Sequence, residues 1–149
     1  MRAPVAFLAC LVVVLAGYVV SGNITESVLE PPKITITPPP PDLAPRVAAF
    51  SGVWVAGRAG IGPSRIVVER INETWASMLQ FWPSDSAGNS NGIWRRVRAR
   101  VLPSGELLGG YPVTFSLRMA EDGATIECQM QRAGAKATTT LKKVIGPSA

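Results

Sequence analysis

Thr125-Ile126-Glu127-Cys128-Gln129-Met130-Gln131 alternates apolar and polar side chains without a break. Strict period two puts Ile126, Cys128 and Met130 on one face and Glu127, Gln129 and Gln131 on the other, the pattern of a half-buried β-strand. Just before it stands Glu121-Asp122-Gly123. The Asp-Gly pair tolerates positive φ and so suits a hairpin turn. On the far side of that turn Val113, Phe115, Leu117 and Met119 repeat at every second position. Residues 113–131 therefore read as strand, turn, strand.

Outward from this hairpin the same grammar continues. Gly134 marks a turn, and Ala137 to Val144 forms the last strand. Towards the N-terminus come Glu106 to Leu108 before Gly109-Gly110, then Ile93 to Leu102 before Pro103-Ser104-Gly105. Thr74 to Trp82, Ser64 to Ile71 and Phe50 to Ala56 complete the series. This predicts about eight short strands, joined by turns in sequence, and no helix in the domain. A meander of that kind removes its exposed edges by closing on itself. The expected fold is all-β, a small antiparallel up-and-down β-barrel, with a two-sheet sandwich as the rival. Ile66 to Ile71 carries apolar residues on both faces, so the pattern there leaves open whether the barrel is hollow or filled.

Phe50-Ser51-Gly52-Val53-Trp54 resembles the opening of the lipocalin and calycin barrels, which begin with a Gly-x-Trp strand. The resemblance implies that Trp54 packs at the closed end of the barrel. It also implies that a basic residue of the last strand, Lys142 or Lys143, covers the ring by cation–π contact. The domain is shorter than typical lipocalins, so the resemblance does not carry over a large ligand cavity.

The domain does not stand alone. Residues 3 to 20 hold no charge, and Arg2 precedes them. Spanning a bilayer core takes roughly 20 apolar residues, with a lower limit near 17. Residues 1–22 are therefore read as an N-terminal hydrophobic helix that anchors the chain in a membrane, or as a signal peptide. Arg2 stays cytoplasmic and the rest crosses. Residues 23–49 include Pro31, Pro32, Pro38 to Pro41 and Pro45 and read as an extended Pro-rich linker, a semi-rigid spacer between membrane and barrel. The barrel domain is assigned to residues 50–145.

The net charge is +5. The first 45 residues hold two basic and three acidic side chains, so the basic excess belongs to the barrel. Cys10 falls in the apolar run, and Cys128 has no partner within the domain, which excludes an internal disulfide. An unstapled domain outside the cytoplasm suits a bacterial cell envelope, inner-membrane anchored or released to the periplasm after cleavage.

Histidine is absent, which removes Ser-His-Asp and Cys-His catalysis and most zinc sites. Gly57 to Ser64 has the spacing of a P-loop, but Pro63 stands where a lysine must reach the phosphates. Cys128 faces inward and reads as an inert buried thiol. Most of the carboxylates sit on polar faces or in turns and read as solvated charge rather than as an acid/base pair. The domain is accordingly read as a binding or structural module and not an enzyme, with no cofactor. Two candidate sites remain. Trp82 and Trp94 flank the polar loop Pro83 to Gly92, whose Asp85, Asn89 and Asn91 offer hydrogen bonds; together they suit a small amphiphile or an envelope glycan at a loop rim. Trp94 to Val101 places Arg96, Arg98 and Arg100 on the outer face of a strand. Either Glu69 or Glu127 neutralises them across the sheet, or they engage an anionic partner such as a protein or lipid headgroups. Location outside the cytoplasm argues against nucleic acid.

Overall fold

A computed structural model describes residues 26–27, 32–57, 62–83, 92–110 and 113–145. The strands are β1 (Glu26–Ser27), β2 (Gly52–Ala56), β3 (Arg65–Ile71), β4 (Trp75–Trp82), β5 (Ile93–Val101), β6 (Leu107–Gly109), β7 (Thr114–Met119), β8 (Thr125–Arg132) and β9 (Ala135–Ile145). One short helix, α1 (Pro45–Ala48), precedes β2. Each strand from β2 to β9 pairs antiparallel with its neighbours in sequence, and β2 pairs with β9. The result is a closed eight-stranded up-and-down barrel, as the turn spacing predicts, and not a sandwich. The expected N-terminal hydrophobic helix, residues 3 to 20, lies outside the described residues. Among the described residues no helix is long and apolar enough to cross a membrane.

The turns explain why neighbours in sequence become neighbours in space. Asp122 Oδ1 accepts the backbone N–H groups of Ala124 and Thr125, at 2.9 and 3.1 Å. Gly123 follows at φ 64°. The side chain thus closes the turn that the Asp-Gly pair announces. Asn72 Oδ1 does the same for Thr74 and Trp75 between β3 and β4. These bonds hold the Asp122 carboxyl below its ordinary pKa of 3.8, the bond from Ala124 most of all. Asp122 therefore contributes stability above that ordinary value, and the contribution disappears as pH falls through the lowered native value. In acid titrations of unfolding, Asp122→Ala is expected to flatten this part of the profile; an unchanged profile would remove Asp122 from the account.

Between β8 and β9, Ala133 at φ 45° and Gly134 at φ 84° form a two-residue loop, with Arg132 opposite Ala135. An alanine in the left-handed region costs about 1 kcal/mol, whereas glycine and asparagine tolerate it. Ala133→Gly is expected to raise the urea midpoint by an amount equivalent to about 0.5 kcal/mol, because glycine's larger unfolded-state entropy cancels part of the gain.

Period two sets the core. Trp54, Ile66, Met78, Leu107, Leu117, Ile126, Cys128 and Leu141 point inward and are essentially inaccessible to solvent. The middle of the barrel is filled with side chains. A second cluster lies on the outer face of β2 to β5, made of Val53, Val67, Leu79 and Trp94, with Ile36, Val55 and Phe81 packed against it. It accounts for the two-faced apolar pattern of Ile66 to Ile71: those strands are covered on both sides. Part of the cover comes from the Pro-rich stretch. β3 carries a bulge at Glu69, between Val68 opposite Met78 and Arg70 opposite Ser77. The extra residue leaves the ladder, and its carbonyl accepts Thr37 N–H at 2.8 Å.

One end of the barrel is closed by residues 43–50, of which Leu43, Val47 and Phe50 belong to the inner core. Trp54 Nε1 donates to Phe50 O at 2.8 Å. Lys143 Nζ donates to Ala49 O at 2.7 Å and lies 5.1 Å from the centre of the Trp54 ring. Of the two lysines that the sequence offers, Lys143 covers the tryptophan. Burial lowers its pKa. The opposite end, where β2, β4, β6 and β8 finish, is the mouth.

Candidate functional site

The phase of β4 runs inward through Ala76, Met78, Gln80 and Trp82, and the phase of β5 through Arg95, Val97 and Ala99. Gln80 and Arg95 are cross-strand partners. Towards the mouth, the lining contributed by β4 and β5 therefore changes from apolar to polar. Gln80 is only 2% exposed, and its Oε1 accepts the indole N–H of Trp82 at 3.2 Å. Its Nε2 is buried and has no hydrogen-bond partner among the described residues. A buried amide hydrogen with no acceptor costs about 1–3 kcal/mol, which makes it an expensive feature in an otherwise apolar lining. The Arg95 guanidinium lies 6.0 Å from the Trp82 ring centre. Gln80, Trp82 and Arg95 thus gather two donor groups and an aromatic wall at one place.

The sequence-predicted rim residues fare differently. Trp82 is half-buried and faces inward. Trp94 is paired with Phe81, one residue before Trp82, and so faces outward. It is 7% exposed, with its ring centre 5.1 Å from that of Phe81. The two tryptophans lie on opposite faces of the wall and are not brought together. Asp85, Asn89 and Asn91 lie outside the described residues. Gln80 and Arg95 are absent from the sequence reading, although a signal for them exists: each is a polar residue in the inward phase of an alternating strand. Extending the alternation of Val97, Ala99 and Val101 back to Arg95 would have found it.

The outer arginines share one face, as the alternation predicts, and each has its own setting. Arg96 makes a two-pronged pair with Glu69, Nε to Oε2 at 3.0 Å and Nη2 to Oε1 at 3.1 Å. That pairing raises the Arg96 pKa against the opposing effect of burial. Glu69 is thus the neutralising anion; Glu127 instead accepts a hydrogen bond from Gln129 at 2.7 Å. Arg98 stacks over Trp75, 4.4 Å from the ring centre. Arg100 is exposed opposite Trp75.

No family model, curated protein or solved structure matches the chain. The site therefore has to be read from its own geometry.

Cys128 offers no chemistry in its present setting. It is fully buried in the core, and desolvation pushes its thiol pKa up to about 12. In a Cys10→Ser chain, modification of Cys128 by a thiol reagent is expected to be on the order of 10³-fold slower under native conditions than in urea, since it waits for the barrel to open. Equal rates would place Cys128 at an accessible position.

Proposed function

We propose that this chain is a non-enzymatic extracytoplasmic binding module, whose barrel mouth takes a small amphiphile. The observation that carries this reading is the unpartnered, buried Nε2 of Gln80 beside Trp82 and Arg95. An amphiphile with an acceptor head satisfies that donor, while its apolar part lies against Trp82 and the core beneath. The calycin-like placement of Trp54 and Lys143 at the closed end supports a barrel built to present its opposite end. Residues 3 to 20 either hold the module to the inner membrane or direct its export to the periplasm.

The test is a titration of the full chain with a dansylated fatty acid, read by energy transfer from tryptophan. Saturable binding is expected, with Gln80→Leu weakening it about tenfold or more, the loss of one hydrogen bond to a charged head. Binding that ignores the substitution would place the ligand elsewhere, and absence of saturable binding would reject the carrier reading. Gln80→Leu has a second readout: removing a buried unpaired amide is expected to leave stability unchanged or raise it by about 1 kcal/mol.

A further inference from the structure

The outer face of β3 to β5 gathers a second group of cations, apart from the mouth. Ser77 lies opposite both Arg70 and Arg98, and Trp75 lies opposite Arg100, so these side chains share one surface. A depression there is lined by Lys33, Thr35, Glu69, Arg70, Trp75, Ser77 and Arg96. Among the described residues that line it, Glu69 is the sole carboxylate, and both of its oxygens are committed to Arg96. Lys33, Arg70, Arg98 and Arg100 remain exposed around a half-buried tryptophan. Cations framing an indole suit the headgroup layer of an anionic bilayer, where the ring takes the interface and the guanidiniums take phosphates.

The path of the chain says which way this face points. β1 pairs Glu26 with Arg95 and Ser27 with Trp94, on the same strand that carries the arginines. Lys33 and Thr35 then line the depression, and Thr37 bonds to the β3 bulge. Five residues, Ser21 to Thr25, separate the apolar run from β1. Their greatest reach is roughly 18 Å. A membrane-held Val20 therefore keeps the β5 side of the barrel within reach of the headgroups rather than far from them.

We infer that the face carrying Arg70, Trp75, Arg98 and Arg100 docks on anionic lipid headgroups of the membrane that holds the N-terminal segment. The inference rests on the anchored form of the proposed function and is independent of the mouth. The docking is electrostatic, so it weakens with salt. Each arginine is worth about a fivefold change in the ratio of docked to undocked barrel.

The experiment uses the full chain with Cys10→Ser, carrying Thr35→Cys on this face or Thr138→Cys on the exposed outer surface of β9, each labelled with a fluorophore. The chain is reconstituted into vesicles containing a headgroup-level quencher lipid, with or without phosphatidylglycerol. Quenching at position 35 and not at 138 is expected, on phosphatidylglycerol vesicles only. High salt is expected to relieve it, and so is Arg98→Gln with Arg100→Gln, about 25-fold in the docking ratio. Equal quenching at both positions, or quenching indifferent to lipid charge, overturns the proposal; a face left unquenched on anionic vesicles belongs to a soluble acidic partner instead. An alkaline wash reports the anchor separately. A chain that washes off, yet is quenched at position 35 by added anionic vesicles, supports the face without the anchor.

Discussion

Trp54→Ala is expected to remove about half of the barrel's stability and to lower its urea midpoint accordingly. The indole is fully buried among the side chains that fill the barrel, and three independent contacts depend on it. Its ring packs in the inner core. Its N–H satisfies the Phe50 carbonyl at 2.8 Å. Its face receives Lys143, whose ammonium also bonds Ala49 O and so ties β9 to the segment that closes this end. Truncating a buried tryptophan costs about 3–5 kcal/mol, and a domain of this size has about 5–10 kcal/mol in total. The vacated volume lies next to Phe50 and the closing segment, so that end loosens together with the core. Trp54→Phe keeps most of the packing but loses the hydrogen bond, and about 2 kcal/mol of destabilisation is expected. Urea unfolding followed by circular dichroism measures both. If Trp54→Ala unfolds at the midpoint of the parent chain, the closed end is not where the stability resides.

Arg96→Ala is expected to destabilise the barrel by about 2 kcal/mol, the second largest effect. The physical reason is what it leaves behind. The Glu69 side chain is 9% exposed, against 41% for Arg96, so the carboxylate is the buried partner and the guanidinium its route to solvent. Removing a buried acid's counter-ion costs about 3–5 kcal/mol in a closed interior, and the open side of Arg96 reduces that by about half. Because the pairing with Glu69 raises the Arg96 pKa, the guanidinium's share of this stability is complete below the ordinary arginine range and is lost only as pH rises beyond it. Salt therefore probes the pair better than pH does. Replacing both partners, Arg96→Met with Glu69→Gln, is expected to recover most of the loss, since no charge is then left unpaired. A double variant as unstable as Arg96→Ala would mean that Arg96 contributes through its aliphatic stem and not through the pair. The Glu69 bulge gives the pair a further role: it fixes the residue whose carbonyl holds Thr37, so Arg96→Ala is also expected to speed amide exchange at Thr37.

The two variants mark the two covers of one sheet, and the sequence foreshadows them unequally. The inner cover is legible because its signal is local. Alternation in Thr125 to Gln131 and in Val113 to Met119 fixes which side chains share a face, and turns such as Asp122-Gly123 fix that consecutive strands pair. From these alone an antiparallel meander follows, with Cys128 inside and Arg96, Arg98 and Arg100 together outside, and the β2–β9 pairing decides for a barrel over a sandwich. The outer cover is not legible, because nothing in Lys33 to Thr37 says that Ile36 meets Val67, Leu79 and Trp94. That contact joins residues far apart in the chain through a bulge, and a single extra residue at Glu69 leaves no mark in composition or period. The same gap misplaces the tryptophans. Adjacent to the same loop, Trp82 and Trp94 read as one rim, yet the cross-strand register pairs Trp94 with Phe81 and so sends the two rings to opposite faces.

What the sequence determined by itself was therefore the strand count, the order of pairing and the sidedness of the cleanly alternating strands, since these depend on period two and on turns closed by their own side chains. The tertiary structure alone decided which ends of the strands close, that Lys143 rather than Lys142 covers Trp54, that Glu69 and not Glu127 meets Arg96, and that Gln80, Trp82 and Arg95 converge at the mouth. Each of those depends on register between strands, and shifting one strand by a single residue reverses every side chain on it.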